Sequence, residues 1–146
     1  MATKPSLRGF ANVSFYASDM NAAREWYTKV FGIEPYFQKP ADNPAYLEWR
    51  VGDYEHEFGI IDSKYAPQGR STTPGGAILY WHVDDVTGTF ERLKELGATE
   101  FEPPTQRGEG FHTASVMDPF GNILGIMYNP HYLKVLHKDE QPEPFA

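Results

Sequence analysis

The side chains with most chemistry to offer are one imidazole and one carboxylate, His82 and Glu57. Imidazole titrates in a range suited to a general base, and Glu57 would serve as its partner or as the anchor of a cationic ligand. The plainer alternative is a histidine hydrogen-bonded at a strand end and a carboxylate solvated beside a turn. His56, His112, His131 and His137 form no pair at metal-ligand spacing. With no cysteine in the chain there is no disulfide framework, thiolate nucleophile or zinc–thiolate centre. Ten Phe, nine Tyr and three Trp make an aromatic share of 15%, and some of these rings must line something other than core. The net charge of -7 excludes a nucleic-acid footprint, which needs basic residues, and favours neutral or cationic partners. The N-terminus has no apolar h-region and no run is long enough to span a bilayer, so a soluble cytoplasmic protein without membrane contact is expected.

Both residues need a sheet to carry them. The run Asp118-Pro119-Phe120-Gly121-Asn122 is turn-forming and separates two apolar, strand-like segments, 114–117 and 123–128, so it reads as a hairpin. A rougher copy lies upstream, where Val51-Gly52-Asp53-Tyr54 is the turn and Phe58-Gly59-Ile60 mirrors Leu124-Gly125-Ile126. Residues 10–17 read as a strand. Ser18-Asp19 then caps a helix carrying Ala22, Ala23, Trp26, Tyr27, Val30 and Phe31, which Gly32 closes. Strands at 35–39, 45–51 and 57–62 follow. After a Pro- and Gly-rich loop over 63–76 the order restarts with a strand at 77–83. Asp84-Asp85 caps a second helix bearing Val86, Phe90, Leu93 and Leu96, and Gly97 ends it. A short strand at Glu100-Phe101, a loop over 103–110 and strands at 111–117 and 123–128 complete the copy. Caps, stops and hairpins recur at an offset of 65 to 66, with Asp19 matching Asp85, Gly32 matching Gly97 and Gly59 matching Gly125. The fold class expected is α+β: two tandem βαβββ modules, 8–63 and 76–130, forming a curved mixed sheet around a cleft. They would make one domain over 1–131, and 132–146 would be a polar surface tail with Pro142 and Pro144.

Each helix must cover one face of its own module's strands. The apolar sets Val13, Phe15, Ala17 and Leu79, Trp81, Val83, with Leu124 and Ile126, are the natural helix-facing residues. The opposite face then carries Asn12, Ser14, Tyr16, Glu57, Gly59 and Ile61 from the first module. From the second it carries Ile78, Tyr80, His82, Ile123, Gly125 and Met127. A face so mixed, and too large to leave bare, predicts a lined cleft. Trp49 could face helix or cleft, while Phe37, Tyr65 and Phe111 would rim the opening. Trp26, Tyr27, Phe31 and Trp81 are core by their spacing.

The chain resembles the vicinal oxygen chelate superfamily, which includes glyoxalase I, extradiol dioxygenases and the fosfomycin- and bleomycin-resistance proteins. The resemblance spans about residues 8 to 130. It rests on the paired modules, on Trp26-Tyr27-Thr28-Lys29-Val30-Phe31-Gly32, and on Asp118-Pro119-Phe120-Gly121-Asn122. It implies a divalent metal held by one side chain from the first and last strand of each module. Here those positions are Asn12, Gly59, Ile78 and Gly125, and a one-residue slip offers only Val13, Ile60 and Ile126. Glycine and isoleucine cannot ligate, so no metal and no other cofactor is expected. The glycines would leave empty volume over an apolar floor at Ile78, where a flat organic molecule could stack on Tyr80, Tyr16 or Trp49. This is similar to the bleomycin-resistance branch, whose metal-free members form homodimers and sequester drugs. The expectation is a protein that binds a small aromatic or cationic organic compound, as in antibiotic resistance. The alternative is an enzyme, lyase-, isomerase- or dioxygenase-like, working without metal or with one bound elsewhere through His82 or Glu57.

Overall fold

The structure, a computed structural model, describes residues 6–69 and 72–140. The chain divides between Tyr65 and Ala66 into two compact units. Each is a four-stranded mixed sheet with a helix on one face.

In the first unit strand β1 (Asn12–Ala17) leads into helix α1 (Met20–Phe31), followed by β2 (Phe37–Lys39), β3 (Tyr46–Val51) and β4 (His56–Asp62). The sheet order is β1-β4-β3-β2, with β1 and β4 parallel and the remaining pairs antiparallel. The Asp19 carboxylate caps α1 by accepting from the Ala22 N–H at 3.0 Å. Gly32 ends the helix at φ 74°, left-handed backbone that a Cβ would strain. Met20, Ala23, Trp26 and Tyr27 are buried, as are Leu47, Trp49, Phe58 and Ile60 of the sheet. Tyr27 lies 5.0 Å from Phe58 and 6.2 Å from Trp49, ring centre to ring centre, and Phe31 lies 5.2 Å from Phe58. Each such ring contributes roughly 1.5–3 kcal/mol by burial, which makes this aromatic cluster the main support of the sheet above it.

The second unit repeats the order as β5 (Leu79–His82), α2 (Val86–Glu95), β6 (Thr99–Gly108), β7 (Phe111–Met117) and β8 (Ile123–Tyr128), sheet order β5-β8-β7-β6. Asp85 caps α2 through the Gly88 N–H at 3.0 Å. Val86, Phe90 and Leu93 are buried with Ala114, Val116, Leu124 and Ile126. The 118–122 turn closes β7 onto β8 as expected. Asp118 is 4% exposed. It accepts from the Phe120 and Asn122 N–H groups at 2.9 and 2.8 Å and from the Asn122 side chain at 2.8 Å. The duplication holds at the level of register: Ser14 pairs with Gly59, and 66 positions on Tyr80 pairs with Gly125.

Two stretches differ from expectation. Residues 103–108, expected as loop, belong to β6, an edge strand with register shifts at three places, the one between Glu102 and Thr105 absorbing Pro103 and Pro104. Residues 132–136, expected to begin a polar tail, belong to helix α3 (Pro130–Leu136), capped by the Asn129 side chain with Pro130 in its first turn. Pro142 and Pro144 lie outside the described residues.

Candidate functional site

The face of the first sheet turned away from α1 is built in rows, because paired residues on neighbouring strands point the same way. One row is Ser14, Gly59, Glu48 and Phe37. A second is Asn12, Glu57 and Arg50, and a third is Tyr16, Ile61, Tyr46 and Lys39. Five residues nominated from sequence therefore meet here: Asn12, Ser14, Glu57, Gly59 and Phe37, with Tyr16 on the next row. The residue at their centre, Glu48, was not nominated.

Glu48 is half-buried. Its Oε1 accepts from the Tyr46 hydroxyl and, at 3.2 Å, from Asn12 Nδ2, while its Oε2 accepts from the Tyr36 hydroxyl. Tyr36 is placed by its own N–H, which donates to the Glu48 carbonyl at 3.0 Å and extends the β2–β3 ladder by one residue. Ser14 Oγ holds the Asn12 amide by donating to Oδ1 at 3.1 Å. Glu57 Oε2 accepts from Arg50 Nε and Nη2 at 3.1 and 3.0 Å and lies 3.3 Å from the Tyr36 hydroxyl. The Arg50 guanidinium in turn rests 4.2 Å above the Tyr36 ring. Burial first, and the Glu57 charge second, hold the Glu48 carboxyl above its ordinary pKa, outweighing the Arg50 charge and the Asn12 hydrogen bond.

Trp49 does not belong to this face. It is 0% exposed and sits in the α1 core, its Nε1–H donating to the Ile33 carbonyl at 3.0 Å. The alternation left its side open, and Glu48 and Arg50 decide it by taking the other face. Nor do the glycines leave room. A Cβ on Gly59 would stand 2.6 Å from the Tyr46 hydroxyl, and one on Gly125 would stand 2.7 Å from the Tyr80 ring and 2.9 Å from Ile78 Cγ2. The volume expected to be empty is filled in each unit by a tyrosine laid across the glycine.

In the second unit the corresponding face carries Tyr80, Gly125, Ser115 and Glu102 in one row and His82, Met127, Thr113 and Thr105 in the next. Arg107 bridges Thr113 Oγ1 at 3.1 Å and Glu102 at 2.7 Å. Phe111 stands at the outer end of β7 and is exposed, as Phe37 is in the first unit. His82 is spent on structure. Its side chain is 7% exposed, and Nδ1 accepts from the Asn129 N–H at 3.1 Å, so that nitrogen carries no proton. Nε2 faces Asp84 at 3.3 Å, and the ring stacks on Tyr132 at 4.6 Å between centroids. Both nitrogens are engaged, and the residue ties β5 to α3.

The profile of the Glyoxalase/Bleomycin resistance protein/Dioxygenase superfamily matches residues 9–126, and the chain belongs to that superfamily. Solved structures agree on the fold. A glyoxalase-related enzyme from Fulvimarina pelagi superposes with a TM-score of 0.67 at 23% identity, covering 85% of this chain and 90% of that one. A superfamily member from Sphaerobacter thermophilus gives 0.66 at 19% identity, over 84% and 98% of the two chains. A lactoylglutathione lyase from Agrobacterium tumefaciens gives 0.64 at 19%, over 87% and 98%. Likeness at these identities is of fold alone. No curated protein sequence matches the chain.

The metal implied by the resemblance does not suit the residues at its four positions. Of Asn12, Gly59, Ile78 and Gly125 only Asn12 has a donor atom, and its amide is taken up by Glu48 and Ser14. Tyrosine rings cover both glycines. Among the described residues no three His, Cys, Asp or Glu side chains group closely enough to hold a metal ion.

Proposed function

We propose that this protein binds a small aromatic or cationic organic molecule and holds it without a metal, sequestering it rather than transforming it. The observation that carries the reading is the pair of glycines, Gly59 and Gly125, each covered by a tyrosine where the resemblance would place a ligand. The first sheet's open face supports it, offering Tyr36, Tyr46 and Phe37 beside Glu48, Glu57, Asn12 and Ser14, a mix of ring surface and directed acceptors. His82 and Glu57, the candidates for proton transfer, are engaged with Asn129 and Arg50 respectively, which favours binding over the enzymatic alternative. Pairing of two copies belongs to the same reading, supported by the fully exposed Leu7 and Phe10 just before β1.

The test is a thermal-shift screen in chelator with aromatic and cationic compounds. A ligand at about a hundred times its Kd stabilises by about 2.7 kcal/mol, so Tm should rise by roughly 5–10 °C. Elemental analysis of the purified protein is run alongside. Stoichiometric divalent metal, with stabilisation only when it is present, would overturn the reading.

A further inference from the structure

The open face of the first unit is unbalanced in charge. Glu48 and Glu57 stand side by side across β3 and β4, and only Glu57 has a cation: Arg50, flat on the Tyr36 ring and bonded to the carboxylate through Nε and Nη2. Glu48 forms no ion pair among the described residues, although Tyr36, Tyr46 and Asn12 all direct donors at it. Protons are unbalanced too. The Tyr36 hydroxyl lies against Oε2 of both carboxylates, and its single hydrogen can serve one of them at a time. The arrangement closes in two ways. A proton on Glu48 donates to Tyr36, whose own hydrogen then turns to Glu57. Otherwise a second cation joins Glu48 as Arg50 joins Glu57, and the Tyr36 hydrogen stays on Glu48.

We propose that Glu48 is the recognition carboxylate of this face and takes the N–H-bearing cationic group of a ligand in exchange for a proton. The inference rests on the binding function above and names the chemistry of the guest: a planar or compact organic cation such as an amidinium, guanidinium or ammonium attached to an apolar body. Arg50 shows the chemistry within the chain, since a guanidinium already lies between a ring of this face and a carboxylate of this face. The exchange balances: a neutral Glu48 carboxyl gives its proton to solvent, and the carboxylate that remains pairs with the cation. Charged and titratable groups around it are Glu57 on β4, Arg50 and Tyr46 on β3, Tyr36 and Lys39 on the β2 side, and Tyr16 on β1, beside the Asn12 amide. Of these, Glu57 favours the proton, and Arg50 opposes it.

The experiment is isothermal titration of the wild-type chain with benzamidinium and with its neutral counterpart benzamide, at about pH 5 and about pH 8, each in two buffers of different protonation heat. Benzamidinium should bind and release more protons at the acid end than at the alkaline end, because the Glu48 carboxyl is held above its ordinary range. Its affinity should rise with pH by up to about tenfold per unit below the Glu48 titration and flatten above it. Glu48→Gln should lose binding by at least about tenfold. Were that variant unfolded, the proton count on the wild-type chain would decide alone. Equal binding of benzamide, no proton release, unaltered affinity in Glu48→Gln, or no binding of the cation each overturns the assignment. A neutral aromatic that raises Tm and binds without proton exchange removes this inference and leaves the binding function standing. A screen in which nothing binds removes both.

Discussion

A tyrosine laid across a strand glycine occurs once in each unit, but the two contacts are not equally forgiving. Beside Gly59 an added Cβ has its three nearest atoms all in the Tyr46 side chain, at 2.6 to 3.0 Å, and that side chain can swing aside at the loss of its bond to Glu48. Beside Gly125 it also meets the Leu79 carbonyl oxygen at 2.8 Å, which is backbone of the neighbouring strand and moves only if the β5–β8 ladder opens. Gly125→Ala should therefore cost about 1–3 kcal/mol of stability, as overpacked sites do, and Gly59→Ala less. Urea denaturation of the two variants decides it, and a larger loss for Gly59→Ala would contradict the geometry. Residues at this scale were the least legible in the sequence. Asn12, Ser14, Glu57 and Gly59 followed from alternation, because one side of β1 and β4 is plainly apolar. Glu48 was missed because alternation along β3 sets Leu47, Trp49 and Val51 against Tyr46, Glu48 and Arg50, and a tryptophan suits either face. Tyr36 fell within the strand expected over 35–39 but was not nominated; it lies just before β2, where a backbone hydrogen bond to Glu48 places it.

Elements were more legible, and their failures have physical causes. Both long helices were readable from their Asp caps, apolar spacing and glycine stops, all three being local chemistry. The far half of β6 was not, because paired prolines normally argue against a strand, and only the edge position with its bulges admits them. Helix α3 was missed because it is short: Tyr132, Leu133 and Leu136 do recur at helical spacing, but seven residues give less than two turns of pattern and none of them is fully buried. What holds it is a contact distant in sequence, the Asn129 N–H on His82 Nδ1 with Tyr132 stacked on the imidazole. His82→Ala leaves that N–H without its acceptor and removes the stacked ring, a loss of about 1–3 kcal/mol confined to this joint. Hydrogen exchange should quicken in α3 while α1 keeps its protection. Unchanged protection across α3 would mean that the helix is held by something else.

For the chain as a whole, duplication is what made the fold readable: a cap, a stop and a hairpin repeated in the same order constrain topology more than any one segment does. The same global view bears on what the molecule attracts. Its 20 acidic residues against 13 basic ones set up a net charge of -7, a field that reaches beyond any single contact. Salt shortens that reach from about 10 Å near 0.1 M to about 3 Å near 1 M. It acts much less on the half-buried pair at Glu48 itself. Benzamidinium affinity should therefore fall severalfold between those salt concentrations without vanishing, the residue being the contact term. Benzamide, lacking the charge, should be insensitive to salt. A cation whose affinity stays flat across the range owes nothing to the field of the whole protein. One whose binding disappears at the high end is held by that field alone, and in that case no carboxylate on the first sheet is its partner.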